Sequence, residues 1–342
     1  MTSVIRGVLG TLLAAALIYW VLRGIDPKDL RSSLAAASWW LLALAAIVNF
    51  SHNAFRVLRW RWLLEPTRHA VPFRPMFAAV ILGYMTTLAG GRIGELVRPA
   101  LLSAREKLPL GPTMGTIVTD RLLDGFSIVA LFAIGSALAS FAPSALPMAA
   151  KIRAGAWIAF ACVVVGLVAL ALLSTAVARG RRWLAGRSAL VRWIGGAILG
   201  FAEGAAALRS LRRLVPIVFA SVAAWFTIAV GTWLGIRSVG AAVSLSDVFV
   251  LMPLLAAGIA IPTPGAAGGY HATMKFGLTT LFGVDPTLAA GAGVLMHLAI
   301  AIPIFVAGMI LLKTEKISWS DMVAAAKQVR TLGHLETAEA AP

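Results

Sequence analysis

Long apolar segments separated by short basic stretches make up most of the chain. They cover residues 7–22, 32–55, 75–91, 125–150, 154–178, 214–236, 248–274 and 286–312. Most of them are near or above the ~20 residues that an α-helix needs to cross the hydrocarbon core of a bilayer. The pattern therefore predicts eight membrane elements and an all-α polytopic membrane protein.

The composition supports this class. Of the 342 residues, 60% are hydrophobic and 13% are charged, and the charged share is about half that of a soluble domain. The net charge is +16, but the basic residues flank apolar segments without a nucleic-acid-binding motif. We therefore expect contact with anionic lipid and none with nucleic acid. The single cysteine, Cys162, cannot build a disulfide framework or a thiolate metal site, and we expect neither metal nor cofactor.

The basic stretches predict how the segments are threaded. They cover residues 56–74, 98–107, 179–192, 209–213 and 313–330, and the positive-inside rule places all of them in the cytoplasm. Residues 75–103 must then enter from the cytoplasm, turn at Gly90 and Gly91, and return to the same side. Residues 248–282, interrupted between Pro262 and Gly265, are predicted to form a second re-entrant hairpin from the opposite side. Both termini are cytoplasmic on this scheme.

The scheme amounts to an inverted-topology repeat. The halves, about 1–145 and 150–313, each supply three spanning helices and one re-entrant hairpin to a single transmembrane domain over residues 1–313. Residues 179–213 are predicted to form an amphipathic helix on the cytoplasmic interface between the halves, and residues 314–342 a cytoplasmic tail. Gly/Pro-interrupted segments in corresponding positions of two inverted halves point to a transport site near the midplane.

The first hairpin tip combines glycines with charged residues. They are Gly90, Gly91, Arg92, Gly94, Glu95 and Arg98. Charges at this depth need partners or a ligand, and exposed backbone N–H groups beside arginine suit a phosphate. We predict that these residues bind a phosphate-bearing head group. The alternative is that Arg92 and Glu95 pair with each other or with Asp120, Arg121 and Asp124, and only hold the hairpin in place.

The next span carries charges of its own. Asp120 and Asp124 share one helix face at a spacing of four residues, and two like charges there require a cation, for which Arg92, Arg98 or a proton would serve. Arg121 and Asp124 are counted among the candidate binding residues, although structural pairing explains this group equally well.

Polar residues also mark one side of the second predicted span. They are Asn49, His52 and Asn53. Buried polar side chains in membrane helices commonly hydrogen-bond to a neighbouring helix, so we expect such bonds here.

The second hairpin tip offers mainly backbone. Its candidate binding residues are Pro264, Gly265, Gly268, Gly269, Tyr270 and His271. Two prolines and three glycines within eight residues exceed what a kink requires, but a proline-kinked continuous helix is the alternative. Tyr270 and His271 could bind a head group, with His297 facing the same cavity, or could form a buried, satisfied pair.

Three ordered motifs carry a family resemblance: residues 90–99 (GGRIGELVRP), 120–124 (DRLLD) and 262–271 (PTPGAAGGYH). They resemble the lysylphosphatidylglycerol synthase transmembrane domain family of flippase-like proteins. The resemblance implies an eight-element bundle like the flippase half of the multiple peptide resistance factors, which moves aminoacylated phosphatidylglycerol between leaflets. Hopanoid-biosynthesis-associated proteins and archaeal proteins fused to sugar transferases are other relatives. Members more often carry an acidic residue after the second tip, where this chain has Tyr270 and His271.

These observations together favour a lipid transporter or flippase of the bacterial cytoplasmic (inner) membrane. Its partner is a phospholipid or other membrane lipid, and no enzymatic activity is expected because no synthase or transferase domain is visible. One alternative is an accessory protein that serves an enzyme of lipid, hopanoid or glycan biosynthesis. Another is a membrane-embedded glycosyltransferase that uses polyprenyl phosphate, with Asp26 and Asp29 of the first outward loop as metal ligands.

Overall fold

The chain is mainly helical in the part that a computed structural model describes, residues 2–67, 70–90, 94–175, 206–322 and 324–325. The helices are α1 (Thr2–Leu22), α2 (Pro27–Ala35), α3 (Trp39–Leu64), α4 (Phe73–Gly90), α5 (Gly94–Glu106), α6 (Leu110–Leu138), α7 (Leu146–Thr175), α8 (Leu211–Ser238), α9 (Leu245–Ala260), α10 (Gly269–Phe282) and α11 (Pro286–Thr314). No strand occurs in these residues, so the predicted all-α class is confirmed. Most of the predicted interfacial helix at 179–213 lies outside them.

Four of the described helices are long and apolar enough to cross a membrane: Trp39–Leu64, Pro143–Gly166, Leu211–Ser238 and Pro286–Thr314. Val8–Leu22 and Pro27–Ala35, bent by 85°, add a fifth if they form one span. The protein is therefore a multi-pass membrane protein. Helix α6 is 29 residues long but carries charges in its middle, and its crossing of the membrane stays a prediction.

The prediction of where the second span ends is wrong. The apolar pattern predicts that it stops at residue 55, before a cytoplasmic basic stretch, but α3 continues to Leu64. Arg56 and Arg59 are buried inside the protein, with exposed fractions of 4% and 0%. Because carboxylates from α6 neutralise these two arginines, the helix continues through them as part of the core.

Helices α4 and α5 pack against each other in antiparallel directions. A Cβ built on Gly94, the first residue of α5, would overlap the carbonyl oxygen of Gly83 in α4. At the far ends of the same two helices, Arg74 and Arg105 both bind the carboxylate of Glu315. The chain therefore reverses its direction between α4 and α5, and the two outer ends of this first hairpin lie together.

Helices α9 and α10 form a second antiparallel hairpin. A Cβ on Gly269 would overlap the carbonyl oxygen of Gly258, and further from the turn Gly277 faces Leu251. Helix α9 ends at Ala260 because Pro262 forces the residue before it into an extended conformation. Gly265 and Gly268 have φ angles of 63° and 85°, which favour glycine. This segment therefore does not form a continuous proline-kinked helix.

The turn of the second hairpin lies against the end of α4 and against α1. A Cβ on Gly265 would lie 3.3 Å from the carbonyl oxygen of Leu88 near the end of α4, and a Cβ on Gly10 of α1 would lie 3.0 Å from the carbonyl oxygen of Pro262. Three expectations stay predictions. They are the entry and exit of each hairpin through one membrane face, the inverted repeat of the two halves, and the domain boundaries at 145, 150 and 313.

Candidate functional site

Five buried charged side chains from three helices meet beside the first hairpin. They are Arg56 and Arg59 of α3, Arg98 of α5, and Asp120 and Asp124 of α6. Each of these residues is at most 5% exposed. We call this group the arginine cluster. It joins the first hairpin to two long helices, so any movement of the hairpin must act on it.

Asp124 is the most fully bonded member. One carboxylate oxygen lies 2.8 Å from Nη2 of Arg59 and accepts a hydrogen bond of 2.9 Å from the Trp225 indole. The other accepts hydrogen bonds from Arg56 (2.8 Å) and Arg121 (3.1 Å). With both oxygens occupied twice, Asp124 acts as the structural anchor of the cluster.

Asp120 forms ion pairs with two arginines, one at each carboxylate oxygen. Nη2 of Arg59 lies 2.6 Å from one of its oxygens, and Nη1 of Arg98 donates to the other at 2.9 Å. The guanidinium of Arg98 stacks over the ring of Trp60, with 4.1 Å between the guanidinium carbon and the ring centroid. Arg98 is thereby fixed by an ion pair on one edge and an aromatic face below.

The charges of the arginine cluster do not balance. Three guanidinium groups face two carboxylates, which leaves one buried positive charge without a counterion in the cluster. Nε and Nη2 of Arg98 also have no hydrogen-bond partner among the described residues, and neither have Nε of Arg56 and Nε of Arg59. An unpaired buried charge is costly, so the cluster is suited to hold an anion.

One edge of the cluster is only partly covered by the protein. Arg121 and Glu95 have side chains that are 38% and 49% exposed, and 3.8 Å separates their nearest charged atoms. Glu95 therefore faces the charges of α6, as the structural alternative for the first tip proposes. The pair borders the buried arginines on a side that the described part of the protein does not cover.

A second group of polar side chains lies at the second hairpin. The rings of His271 and His297 have centroids 4.9 Å apart, and Tyr270 lies 5.9 Å from His297. The Tyr270 hydroxyl is buried and has no partner in the described part of the chain. Nδ1 of His271 accepts a hydrogen bond of 3.3 Å from the N–H of Gly268. No group of three or more His, Cys, Asp or Glu side chains suited to a metal ion occurs among the residues described.

A sequence model of the lysylphosphatidylglycerol synthase TM region matches residues 7–308. The chain belongs to this family. It is also similar to the glycosyltransferase AglD of Haloferax volcanii, with 24% identity over an alignment of 369 residues. The alignment covers 97% of this chain and 57% of that protein. The chain thus spans little more than half the length of this curated relative.

In this family member the structure brings together only part of the predicted first-tip site. Arg98, Glu95, Arg121 and Asp124 meet around α6. Gly90 ends α4 and Gly94 packs between helices, and the remaining two predicted residues, Gly91 and Arg92, lie outside the described residues. At the second tip, Pro264, Gly265, Gly268 and Gly269 form the turn that carries Tyr270 and His271.

Arg56 and Arg59 were missed by sequence reasoning, which counted them as flanking basic residues. A signal was present: at helical spacing they continue the face of α3 that carries Asn49, His52 and Asn53. The hydrogen bonds expected from that face to other helices do not form in the described structure. The amide of Asn53 donates instead to the carbonyl of Phe50 in its own helix, at 2.8 Å.

Proposed function

We propose that this protein is a lipid transporter or flippase of the bacterial cytoplasmic membrane that binds a phosphate-bearing head group at the arginine cluster. The supporting observation is the unbalanced positive charge buried among Arg56, Arg59 and Arg98. A phosphodiester carries one negative charge and accepts several hydrogen bonds, so it would satisfy both the charge and the free donors.

Arg98 is the residue that would hold the phosphate. Its Nη1 is engaged by Asp120, while Nε and Nη2, which lie along one edge of the guanidinium, have no partner among the residues described. Two N–H groups on one edge match two oxygens of a phosphate. Arg92 would add a second cation from the tip, and the half-exposed Glu95 and Arg121 would border the route by which the head group arrives.

Transport in reconstituted vesicles tests this proposal. Purified protein in liposomes should move phosphatidylglycerol with a fluorescent acyl chain between leaflets, measured by dithionite quenching. Arg98→Gln removes a charge-assisted contact worth about 1.5–3 kcal/mol, so we expect transport to fall roughly 10- to 100-fold. Arg31→Gln, at an exposed position of α2, is the matched control. Equal transport by Arg98→Gln and wild type, or none by wild type, contradicts the proposal.

A second candidate function follows from the named relative, a glycosyltransferase. The chain would act on a polyprenyl-phosphate-linked sugar, either as an accessory protein or as a membrane-embedded transferase, and the same cluster would bind the phosphate. The transferase version assigns metal binding to Asp26 and Asp29. Asp26 caps α2 by accepting a hydrogen bond of 2.8 Å from the N–H of Lys28, which explains its presence without a metal.

Two measurements separate the candidates. Polyprenyl phosphate should compete with fluorescent phosphatidylglycerol only if the glycan function holds. Asp29→Asn should leave lipid movement unchanged, since Asp29 is exposed and lies in α2 rather than in the arginine cluster. Sugar transfer that is lost in Asp29→Asn and retained in Arg98→Gln would favour the transferase.

A further inference from the structure

A row of buried polar side chains runs along one face of α3 and ends in the arginine cluster. Its members are Asn49, His52, Asn53 and Arg56, which occupy positions i, i+3, i+4 and i+7 of the helix and are at most 7% exposed. We call them the α3 polar row. At a rise of about 1.5 Å per residue, the row and Arg59 beyond it extend over about 15 Å.

The row keeps hydrogen-bonding capacity that the described part of the protein does not use. Nδ2 of Asn49, Oδ1 of Asn53 and Nε of Arg56 are buried and have no partner within the described ranges. The bonds of the uncharged members stay within α3: Asn53 donates to the carbonyl of Phe50, and Nδ1 of His52 bonds to the carbonyl of Asn49. Buried polar groups are almost always satisfied by protein or water, so this row is suited to a hydrated or polar occupant.

The position of the row links the arginine cluster to the contact between the second hairpin turn and α4. At one end Arg56 lies in the cluster, 5.7 Å from the ring centroid of Tyr84 in α4. One turn back along α3, the ring of His52 lies 6.2 Å from the same Tyr84 ring. Further on, Phe50 packs in one apolar cluster with Leu88, whose carbonyl oxygen faces Gly265 of the second hairpin. The row therefore runs beside the first hairpin, from the cluster toward the contact between Leu88 of α4 and the turn of the second hairpin.

We propose that the α3 polar row is the track along which the polar head group of the transported lipid passes between the arginine cluster and the contact of the second hairpin turn with Leu88 of α4. This inference rests on the proposed transport function. The free amide atoms of Asn49 and Asn53 bond to the head group and its water as it leaves Arg98, while the acyl chains remain in the lipid.

Cysteine labelling tests whether the row is hydrated. In a Cys162→Ala background, Asn49→Cys and Asn53→Cys should react with the membrane-impermeant reagent 2-sulfonatoethyl methanethiosulfonate, and more slowly in phosphatidylglycerol vesicles than in phosphatidylcholine vesicles. Ala45→Cys, one turn beyond the row and fully buried in the apolar core, is the control and should stay unreactive. If all three cysteines are equally unreactive, the row is structural and the inference is wrong.

Transport by apolar variants provides the second measurement. Asn53→Leu should slow the movement of fluorescent phosphatidylglycerol about tenfold, while the affinity for soluble dihexanoyl phosphatidylglycerol stays within about twofold. Asn53→Ala, which cannot crowd its neighbours, replaces the leucine variant if that variant fails to fold. It should show the same slower transport at nearly unchanged affinity. Ser51→Ala removes a hydroxyl from another face of α3, where it bonds to the carbonyl of Val48, and should change neither quantity.

The failures of the two proposals are distinguishable. If Arg98→Gln loses transport while both Asn53 variants keep the wild-type rate, the track is wrong and the binding site stands. If Arg98→Gln keeps transport, or wild-type protein moves no phosphatidylglycerol, the transport proposal itself falls and the track falls with it.

Discussion

The two hairpins share a backbone design and differ in chemistry. In the first, Gly83 and Gly94 allow the helices to touch; in the second, Gly258 and Gly269 do the same, and each pair is separated by eleven positions in the chain. A threonine hydroxyl accompanies each contact, from Thr87 and Thr273. Close antiparallel packing thus needs small residues at the contact.

The chemistry differs because the neighbours differ. The first hairpin packs against α3 and α6, which supply buried arginines and aspartates, and it contributes Arg98 to them. The second hairpin contributes Tyr270 and His271, whose partners are aromatic rings and a backbone N–H. The charged site is therefore a property of the first hairpin and its two neighbouring helices, and the turns alone do not create it.

The largest expected effect comes from removing the anchor of the charged site. Asp124→Asn leaves Arg56 and Arg59 buried beside a neutral group, and breaking a buried ion pair in this way costs about 3–5 kcal/mol. We expect the free energy of unfolding, measured by steric trapping in bicelles, to fall by that amount. Asp29→Asn, at an exposed site, should change it by less than about 0.5 kcal/mol. A cost no larger than that of the control would mean that the cluster does not stabilise the first hairpin.

The shared backbone design predicts similar penalties in both hairpins. Gly94→Ala and Gly269→Ala each place a methyl group on a backbone carbonyl, which cannot move aside as a side chain can. Each should lower the free energy of unfolding by about 1–3 kcal/mol. Gly155→Ala in α7 has open space around its Cβ and should be neutral or slightly stabilising. If only one of the two alanine variants lowers the free energy of unfolding, the two hairpins do not share this packing design.

The sequence predicts the shared design better than the charged site. Spans such as 286–312 nearly coincide with the observed Pro286–Thr314, because long apolar runs ending in charges permit few other structures. Prolines and glycines likewise located the second turn. Arg98 was noticed because it lies beside a glycine-rich hairpin tip, and Asp120 because it shares a helix face with Asp124. Arg56 and Arg59, in contrast, adjoin further arginines and looked like a flank. Their burial depends on the packing of α3 against α6, which no local pattern contains.

A smaller effect should distinguish binding from packing at the second hairpin. Tyr270→Phe removes a buried hydroxyl without a partner in the described structure, so the free energy of unfolding should stay the same or rise slightly. If the hydroxyl meets the head group, transport of fluorescent phosphatidylglycerol falls about threefold to tenfold, as loss of one hydrogen bond predicts. Unchanged transport would leave the second hairpin with backbone chemistry alone and would sharpen the difference between the two.

The smallest effect concerns the outer end of the first hairpin, where Glu315 joins Arg74 and Arg105. Burial raises the pKa of Glu315, but the hydrogen bonds from Arg105 and Arg74 outweigh it and hold that pKa below its ordinary value of 4.5. A lowered pKa means that the pair stabilises the folded state fully above the ordinary value and less as the pH falls through the lowered one.

Glu315→Gln should therefore lower the free energy of unfolding by at most about 1 kcal/mol at pH 7, because the arginine partners are exposed, and by less at pH 4. Hydrogen exchange of backbone amides localises the change: α4 and α5 should exchange faster in the variant at pH 7, and α9 and α10 should not. The second hairpin serves as the internal control, since its α9 begins at a capping box in which Asp247 accepts a hydrogen bond of 2.8 Å from the N–H of Ser244. Equal acceleration in both hairpins would show that Glu315 supports the whole bundle rather than the first hairpin.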